Sequence, residues 1–433
     1  MIAHIDVDAF FASVLVRKDP RLKGKPLLAL GMGGGCVIAA SYEAKAYGIT
    51  TGMRLVEAKR LCPHAIERLS DFAEACRASR DIEDILANHC PRIERMSVDE
   101  WFLDLRSLVG GTPKDTVQWA QDVQTVVRQH LALSVSIGIG PTKTLAKMAS
   151  EYRKPAGITV LTLENQMSNH SAFCILHSSF LHDRPAAAIP GIGHARTKHT
   201  EAHGWKTAWD FAHAPADTAA RLFGKAGREL QQELHGVSVY PLQVDDRPPK
   251  SVSRCRSFRM TRHADVAYAY LLEHVSILVR KMRREDLACR SIAVWIRNRE
   301  YRASEARRRL PQPTDTEEAL LIHVRECFYQ LWESQGHATQ AGLALHELTP
   351  RGSCQYSLFE APKRTDGRES IQCALDAVHA RFGRNAVVRG RQVPIQPACQ
   401  RVSTAYGDVT GSPVPACPRK ASPALCTPGH HDT

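Results

Sequence analysis

The sequence has no apolar run approaching the ~18 residues a membrane-spanning helix needs, so none is expected. None of its 13 cysteines form a Cys-x-x-Cys pair, and their number is odd. That argues against a disulfide framework or a structural zinc site and predicts a reducing, cytoplasmic setting. The opening Met-Ile-Ala-His-Ile-Asp has the pattern of a charged strand, not of a secretory leader. There are no internal repeats, which excludes solenoid and propeller architectures.

What is present is an ordinary apolar share, 43% of 433 residues, enough for a core and for two to four domains. The formal charge is +12, and Lys250–Leu310 alone holds 16 Lys/Arg against 6 Asp/Glu, +10 of that total. Such a block is either a polyanion-binding surface or a solvated face with surplus arginine.

Apolar periodicity predicts strands at Ile2–Val7, Lys25–Leu30, Cys36–Ala40, Leu133–Ile139 and Gly157–Leu161. Ser97–Leu105 reads as a strand with a turn in it. Helices are expected at Ala9–Arg17, Glu43–Tyr47, Arg54–Leu61, Phe72–Cys90, Thr116–His130 and Lys143–Tyr152. Residues 1 to about 163 are therefore an α/β or α+β domain. Residues 164–240 lack strand patterns and predict a small helical domain. Val244–Lys250 reads as a tether. A second mixed domain follows, with strands near Val252–Met260 and Ser291–Arg297 and helices at Ala267–Arg284 and Thr316–Gln335. Ala374–Gly390 is expected to be a further short helix, and Gly411–Thr433 is too rich in Pro, Ala and Ser to pack.

Asp6 and Asp8 end the first strand, and Asp99-Glu100 sits in Ser97-Val98-Asp99-Glu100-Trp101-Phe102-Leu103-Asp104. Acids are disfavoured in central strands. These are either solvent-facing strand ends or ligands of a divalent cation. Magnesium takes oxygen ligands, a carboxylate or two plus substrate phosphates. Two such ions about 3.5–4 Å apart stabilise the attacking and leaving oxygens of phosphoryl transfer.

The surrounding motifs decide between these. Ile5-Asp6-Val7-Asp8-Ala9-Phe10-Phe11-Ala12-Ser13-Val14 comes first, then Ala40-Ser41-Tyr42-Glu43-Ala44-Lys45, then Ser97-Val98-Asp99-Glu100. Ser136-Ile137-Gly138-Ile139-Gly140 follows, then Lys143, Ala146-Lys147-Met148-Ala149-Ser150 and Lys154-Pro155-Ala156-Gly157. In composition and order these resemble the motifs of the Y-family (translesion) DNA polymerases, and the resemblance continues more weakly to about residue 345. It implies an α+β right-hand polymerase: a mixed-sheet palm (1–10 and 72–163), small fingers (11–71), a helical thumb with a helix–hairpin–helix (164–243), an α/β little finger (250–348) and a tail (349–433).

By the same resemblance, Asp6, Asp99, Glu100 and the backbone carbonyl of Val7 hold two Mg²⁺ ions, with Asp99 and Glu100 central to catalysis. Asp8 and Asp104 are left outside the metal set, in structural roles. Tyr42, Lys45 and Lys154 are expected on the triphosphate of the incoming nucleotide. Lys45 stands where the family often has arginine, giving a point charge without the bidentate fork. Ala39 stands where many members have a hydroxyl, removing one phosphate contact. Phe11 falls at the steric gate under the sugar, and Phe10 belongs to the core.

Ile189-Pro190-Gly191-Ile192-Gly193-His194-Ala195 resembles a DNA-gripping hairpin in which Gly191 and Gly193 bring backbone N–H groups near a phosphate, with Arg196 and Lys198 alongside. Arg254 and Arg256, after the little-finger opening Lys250-Ser251-Val252-Ser253-Arg254, are expected on the duplex backbone. Gln355-Tyr356-Ser357-Leu358-Phe359 resembles a sliding-clamp peptide, with Gln355, Leu358 and Phe359 as its anchors. The implied partners are primer-template DNA, dNTPs and a sliding clamp, for a monomer off the membrane and without proofreading. Three rivals remain at this stage: a nucleotide cyclase, an inactive DNA-binding relative and a two-metal nuclease.

Overall fold

The computed structural model describes residues 1–162, 174–244, 248–351, 366–383 and 386–387. The clamp-like peptide and residues 411–433 lie outside the described residues. The chain forms two compact units, Met1–Asp245 and one that begins at Asp246, so the division falls within the segment read as a tether.

In the first unit, β1 (Ile2–Val7) leads through the helix Phe10–Lys18 to β2 (Leu27–Leu30), β3 (Val37–Ala40) and, after the short helices Tyr42–Lys45 and Leu55–Leu61, β4 (Ile66–Leu69). β2 pairs antiparallel with β3 and parallel with β4 in a small sheet. The helix Phe72–His89 then returns the chain to β5 (Ile93–Arg95) and β6 (Glu100–Asp104). The helix Thr116–Leu131, β7 (Val135–Gly140), the helix Lys143–Tyr152, β8 (Ile158–Thr162) and β9 (Cys174–Leu176) complete a sheet ordered β5-β6-β1-β7-β8-β9. β1 is antiparallel to both neighbours, whereas β7, β8 and β9 run parallel, so the sheet is mixed.

Side chains from one face of this sheet, among them Ile5, Val7, Trp101, Leu103, Ile137 and Ile139, pack against Ile82 and Leu86 of one long helix and Val123 and Val127 of the next. Both helices start on an aspartate cap: Asp71 accepts from Glu74 N at 3.0 Å and Asp115 from Gln118 N at 2.9 Å. The helix Lys143–Tyr152 lies directly on β7. A Cβ at Gly138 would sit 2.1 Å from the Ala146 carbonyl oxygen and 2.2 Å from Ser150 N, so this approach requires glycine.

Beyond β9, short helices from His177–Asp183 to Lys225–Leu234 pack around Phe180, Phe211 and Leu230. The last of them carries Glu233, whose side chain is wholly buried. Its Oε2 accepts Thr144 N at 3.1 Å, and its Oε1 accepts Val239 N at 2.7 Å and Tyr240 N at 3.0 Å. Thr142, which caps the helix Lys143–Tyr152, donates to the Glu233 carbonyl at 3.0 Å. Gln243 N then donates to Glu94 at 2.8 Å, so the segment after this helix is strapped down before the unit ends.

The second unit is an antiparallel sheet ordered β10 (Ser251–Thr261), β13 (Ala338–Pro350), β11 (Leu287–Arg297), β12 (Ala303–Thr314). The helices Ala264–Arg284 and Glu317–Gln335 bury Leu272, Val275, Leu320 and Phe328 against Ile292, Val294, Leu343 and Leu345 of the sheet. A final helix, Asp366–Phe382, begins earlier than the expected Ala374–Gly390.

Other sequence expectations need correction. β9 lies in the stretch read as free of strands; at three residues it shows no period. β4, β5, β12 and β13 were not expected. β12 contains Pro311 and Pro313, which a central strand would not tolerate but an edge strand does. β13 carries Ala338, Gln340, Ala341, Gly342 and Ala344 in its first half, a weak strand signal. The predicted strand Ser97–Leu105 begins only at Glu100, because residues 96–99 form the turn after β5.

Candidate active site

β1 and β6 are antiparallel neighbours in which Asp6 stands opposite Glu100. Cross-strand partners share one face of a sheet, so the two carboxylates meet on the face turned away from the long helices. The helix Lys143–Tyr152, pressed onto β7, adds Glu151, and carboxylate oxygens of Asp6, Glu100 and Glu151 all lie within 4.8 Å of one another. Asp99 sits in the turn before β6. Its carbonyl accepts Val7 N–H at 3.0 Å, and its Oδ1 accepts the Ser97 hydroxyl at 2.5 Å. Arg95 holds this turn, donating to the Ser97 carbonyl at 3.2 Å and to Glu83 at 3.0 Å.

The acids are costly to keep charged. Asp6 is only 7% exposed. Burial raises its carboxyl above the ordinary range and the charges of Glu100 and Asp99 add to this, against the pull of the Lys154 ammonium, 2.6 Å from Asp6 Oδ1. Asp99 is raised likewise, by burial first and by Glu100 in addition. The Lys147 ammonium meets Glu100. Wholly buried His4 lies with Nε2 3.8 Å from Glu100 Oε1 and Nδ1 2.7 Å from Ser150 Oγ. Burial, reinforced by Lys147, Lys154 and Lys143, holds His4 well below the histidine range, so it meets Glu100 as a neutral ring. A compact set of carboxylate oxygens with no sulfur donor suits a hard divalent cation.

Beside the acids, the Tyr42 hydroxyl donates to Asp8 Oδ1 at 3.3 Å, and the Lys45 ammonium lies 4.3 Å above the Tyr42 ring. Burial, and then the charge of Asp8, raises the Tyr42 phenol. Burial, and then Lys154, lowers Lys45. Phe10 is buried, while Phe11 is half-buried with its ring 5.5 Å from that of Phe72. The structure thus gathers Asp6, Asp99, Glu100, Tyr42, Lys45 and Lys154 in one unit, with Val7 closing β1 beside them. Glu151 and Lys147 carried no assigned role in the sequence; the only signal was their i, i+4 spacing on one helix, with Lys154 just beyond.

The expected DNA-contacting residues fall on other elements. Gly191 adopts φ +94°, a left-handed turn that favours glycine, and its carbonyl accepts Arg196 at 2.9 Å. Gly193 starts the helix His194–Ala202. In the second unit the guanidinium groups of Arg254 and Arg256 stand 3.9 and 3.3 Å from Glu273, which offsets part of their charge.

Residues 5–151 match the model of the impB/mucB/samB family, and residues 249–358 that of the impB/mucB/samB family C-terminal domain. The DNA polymerase IV of Gluconobacter oxydans (strain 621H) is 33% identical over 324 residues, 74% of this chain and 87% of that protein. The DNA polymerase IV of Moorella thermoacetica is 29% identical over 397 residues, 89% of this chain and 94% of its own length. Among solved structures, a Y-family DNA polymerase chimera of Dbh and Dpo4 superposes with a TM-score of 0.69 at 22% identity, covering 81% of this chain and 99% of its own. DinB from Sulfolobus solfataricus gives a TM-score of 0.54 at 21% identity with the same coverage. The fold is accordingly the α+β palm, fingers, thumb and little finger of these enzymes, and the chain belongs to the impB/mucB/samB family of Y-family DNA polymerases.

Proposed function

We propose that this polymerase adds deoxynucleotides to a primer 3′ end opposite damaged templates, with Asp6, Asp99, Glu100 and the Val7 carbonyl holding two magnesium ions. The observation that carries this reading is the convergence of Asp6, Glu100 and Glu151 oxygens within 4.8 Å at the end of two central strands. Bound magnesium would supply charge stabilisation for the oxygens of phosphoryl transfer. The chain's own groups do the rest. Asp6 and Glu100 would hold a cation from two paired strands, and Asp99 would join them from the turn held by Arg95. Lys154 stands on Asp6 and Lys45 on Tyr42, where a triphosphate beside the cations would find two ammonium groups and a phenol. Phe11 would close the floor beneath the sugar. A nuclease has no use for this triphosphate pocket, and a cyclase none for the basic second unit.

The thumb hairpin, through Gly191 and Gly193, and the little finger, through Arg254, Arg256 and the exposed arginines of β12, would hold primer-template DNA by its phosphates. Gln355, Leu358 and Phe359 would tether the monomer to a sliding clamp in the cytoplasm. Primer extension, with and without magnesium and dNTPs, tests the reading: extension requiring both is expected, and its absence under all conditions would overturn it. Leu358→Ala with Phe359→Ala should leave short-primer synthesis unchanged and abolish stimulation by a clamp.

A further inference from the structure

Asp8 is 1% exposed, and its carboxylate collects donors from three separate elements. Oδ1 accepts the Ser136 hydroxyl of β7 at 2.7 Å and the Tyr42 hydroxyl at 3.3 Å, and Oδ2 accepts Ala156 N at 2.8 Å. The Asp8 backbone is fixed as well: its N–H donates to the Ser134 carbonyl at 3.0 Å, and its carbonyl accepts the Ser13 hydroxyl at 2.6 Å. Ala156 has φ +53°, a left-handed conformation that a side chain disfavours, and the bond to Asp8 holds it there. Two residues upstream of Ala156 is Lys154, on the loop that this bond anchors. Lys45 rests on the ring of Tyr42 and so follows that ring's position.

One buried carboxylate therefore sets the spacing between Tyr42 with Lys45 on one side and the Lys154 loop on the other. A bare negative charge beside a triphosphate site would repel the ligand; three donors onto Asp8 offset that charge and turn it into a clamp. Resting on the reading of Tyr42, Lys45 and Lys154 as the nucleotide grip, we propose that Asp8 is its positioning residue, acting on dNTP affinity through these groups and not as a metal ligand.

The test is steady-state and single-turnover primer extension by Asp8→Ala and Asp8→Asn over dNTP and Mg²⁺ titrations. Asp8→Ala loses all three bonds and is expected to raise KM for dNTP about thirtyfold, with kcat changed less than about threefold. Asp8→Asn can keep its oxygen on Ala156 N while the Ser136 and Tyr42 hydroxyls turn to accept from the amide. It should rescue most of the loss, leaving KM up by about threefold. Half-saturating Mg²⁺ should not move in either variant. A merely structural role would lower the active fraction and the melting temperature and leave KM alone.

Wild-type KM in Asp8→Ala, or a kcat and Mg²⁺ defect without a KM change, would overturn the proposal. If Asp8→Ala yields no folded protein, Asp8→Asn decides: an unchanged KM there overturns it equally. Absence of extension by the wild-type enzyme would instead remove the nucleotide-grip reading itself.

Discussion

In the first unit Asp6 is 7% exposed, and Glu100 from the paired strand and Glu151 from a helix bring carboxylate oxygens within 4.8 Å of its own. In the second unit the side chains of Arg307 and Arg309 on β12 are 68% and 66% exposed, Arg307 hydrogen-bonded to Glu305 and Arg309 to Glu347. On the proposed function, the difference follows from the task. A charge that must hold a cation gains strength where water is excluded, and it is costly there without one. A charge that must meet any phosphate backbone gains from being solvated, mobile and exchangeable. Surface ion pairs of this kind are worth little and are readily given up to a phosphate. The first unit should therefore control the rate of chemistry and the second the affinity for DNA, with little crossover.

The largest effect should come from breaking the first half of that division. Asp99→Ala or Glu100→Ala should slow primer extension by at least about a thousandfold while DNA affinity stays within about twofold. Rapid-quench extension beside anisotropy titration measures both; near-normal extension by either variant would remove the metal-ligand assignment. Next, Phe11→Ala should cut discrimination against ribonucleotides by about a hundredfold in extension with ATP, GTP, CTP and UTP, and unaltered discrimination would return Phe11 to the core. The opposite half is tested by Arg307→Ala with Arg309→Ala. If about six phosphates are neutralised, the slope of log affinity against log salt should be roughly −5 for the wild type and about two units shallower for the double variant. Extension at saturating DNA should be unchanged. A slope that does not move would show that β12 is only solvated surface.

The last effect should be on stability alone. Glu233→Ala leaves Thr144, Val239 and Tyr240 N–H groups without their acceptor. It should cost about 2–3 kcal/mol in denaturant unfolding of the intact chain.

The sequence showed the first unit more plainly than the second. The helix Lys143–Tyr152 falls where its periodicity put it, and β1 and β7 lie within a residue or two of expectation. Asp6, Asp99 and Glu100 stood out because acids interrupt apolar stretches, but only the ordered motifs around them favoured cation ligands over solvated strand ends. The second unit lost two of its strands to prolines and small residues that only an edge position and a helix-backed sheet make acceptable. Its charge was legible as a total, but not which arginines stay exposed and which, like Arg254 and Arg256, turn toward Glu273. Asp8 shows the limit within the catalytic unit. Its donors lie 34, 128 and 148 residues away, so nothing local distinguishes it from a solvated strand end. Glu151 is similar, an exposed helical acid that only the packing of its helix on β7 at Gly138 brings beside Asp6.

The central claim is that the carboxylates on β1 and β6 hold two divalent ions for nucleotidyl transfer. It is tested most directly by counting ions. Mn²⁺ binding to the enzyme with a 3′-deoxy-terminated primer-template and the matching dNTP can be followed by electron paramagnetic resonance. The wild type should bind two ions per ternary complex, and Asp6→Ala no more than one, with DNA binding retained. Two tightly bound ions in Asp6→Ala, or none in the wild type, would contradict the account.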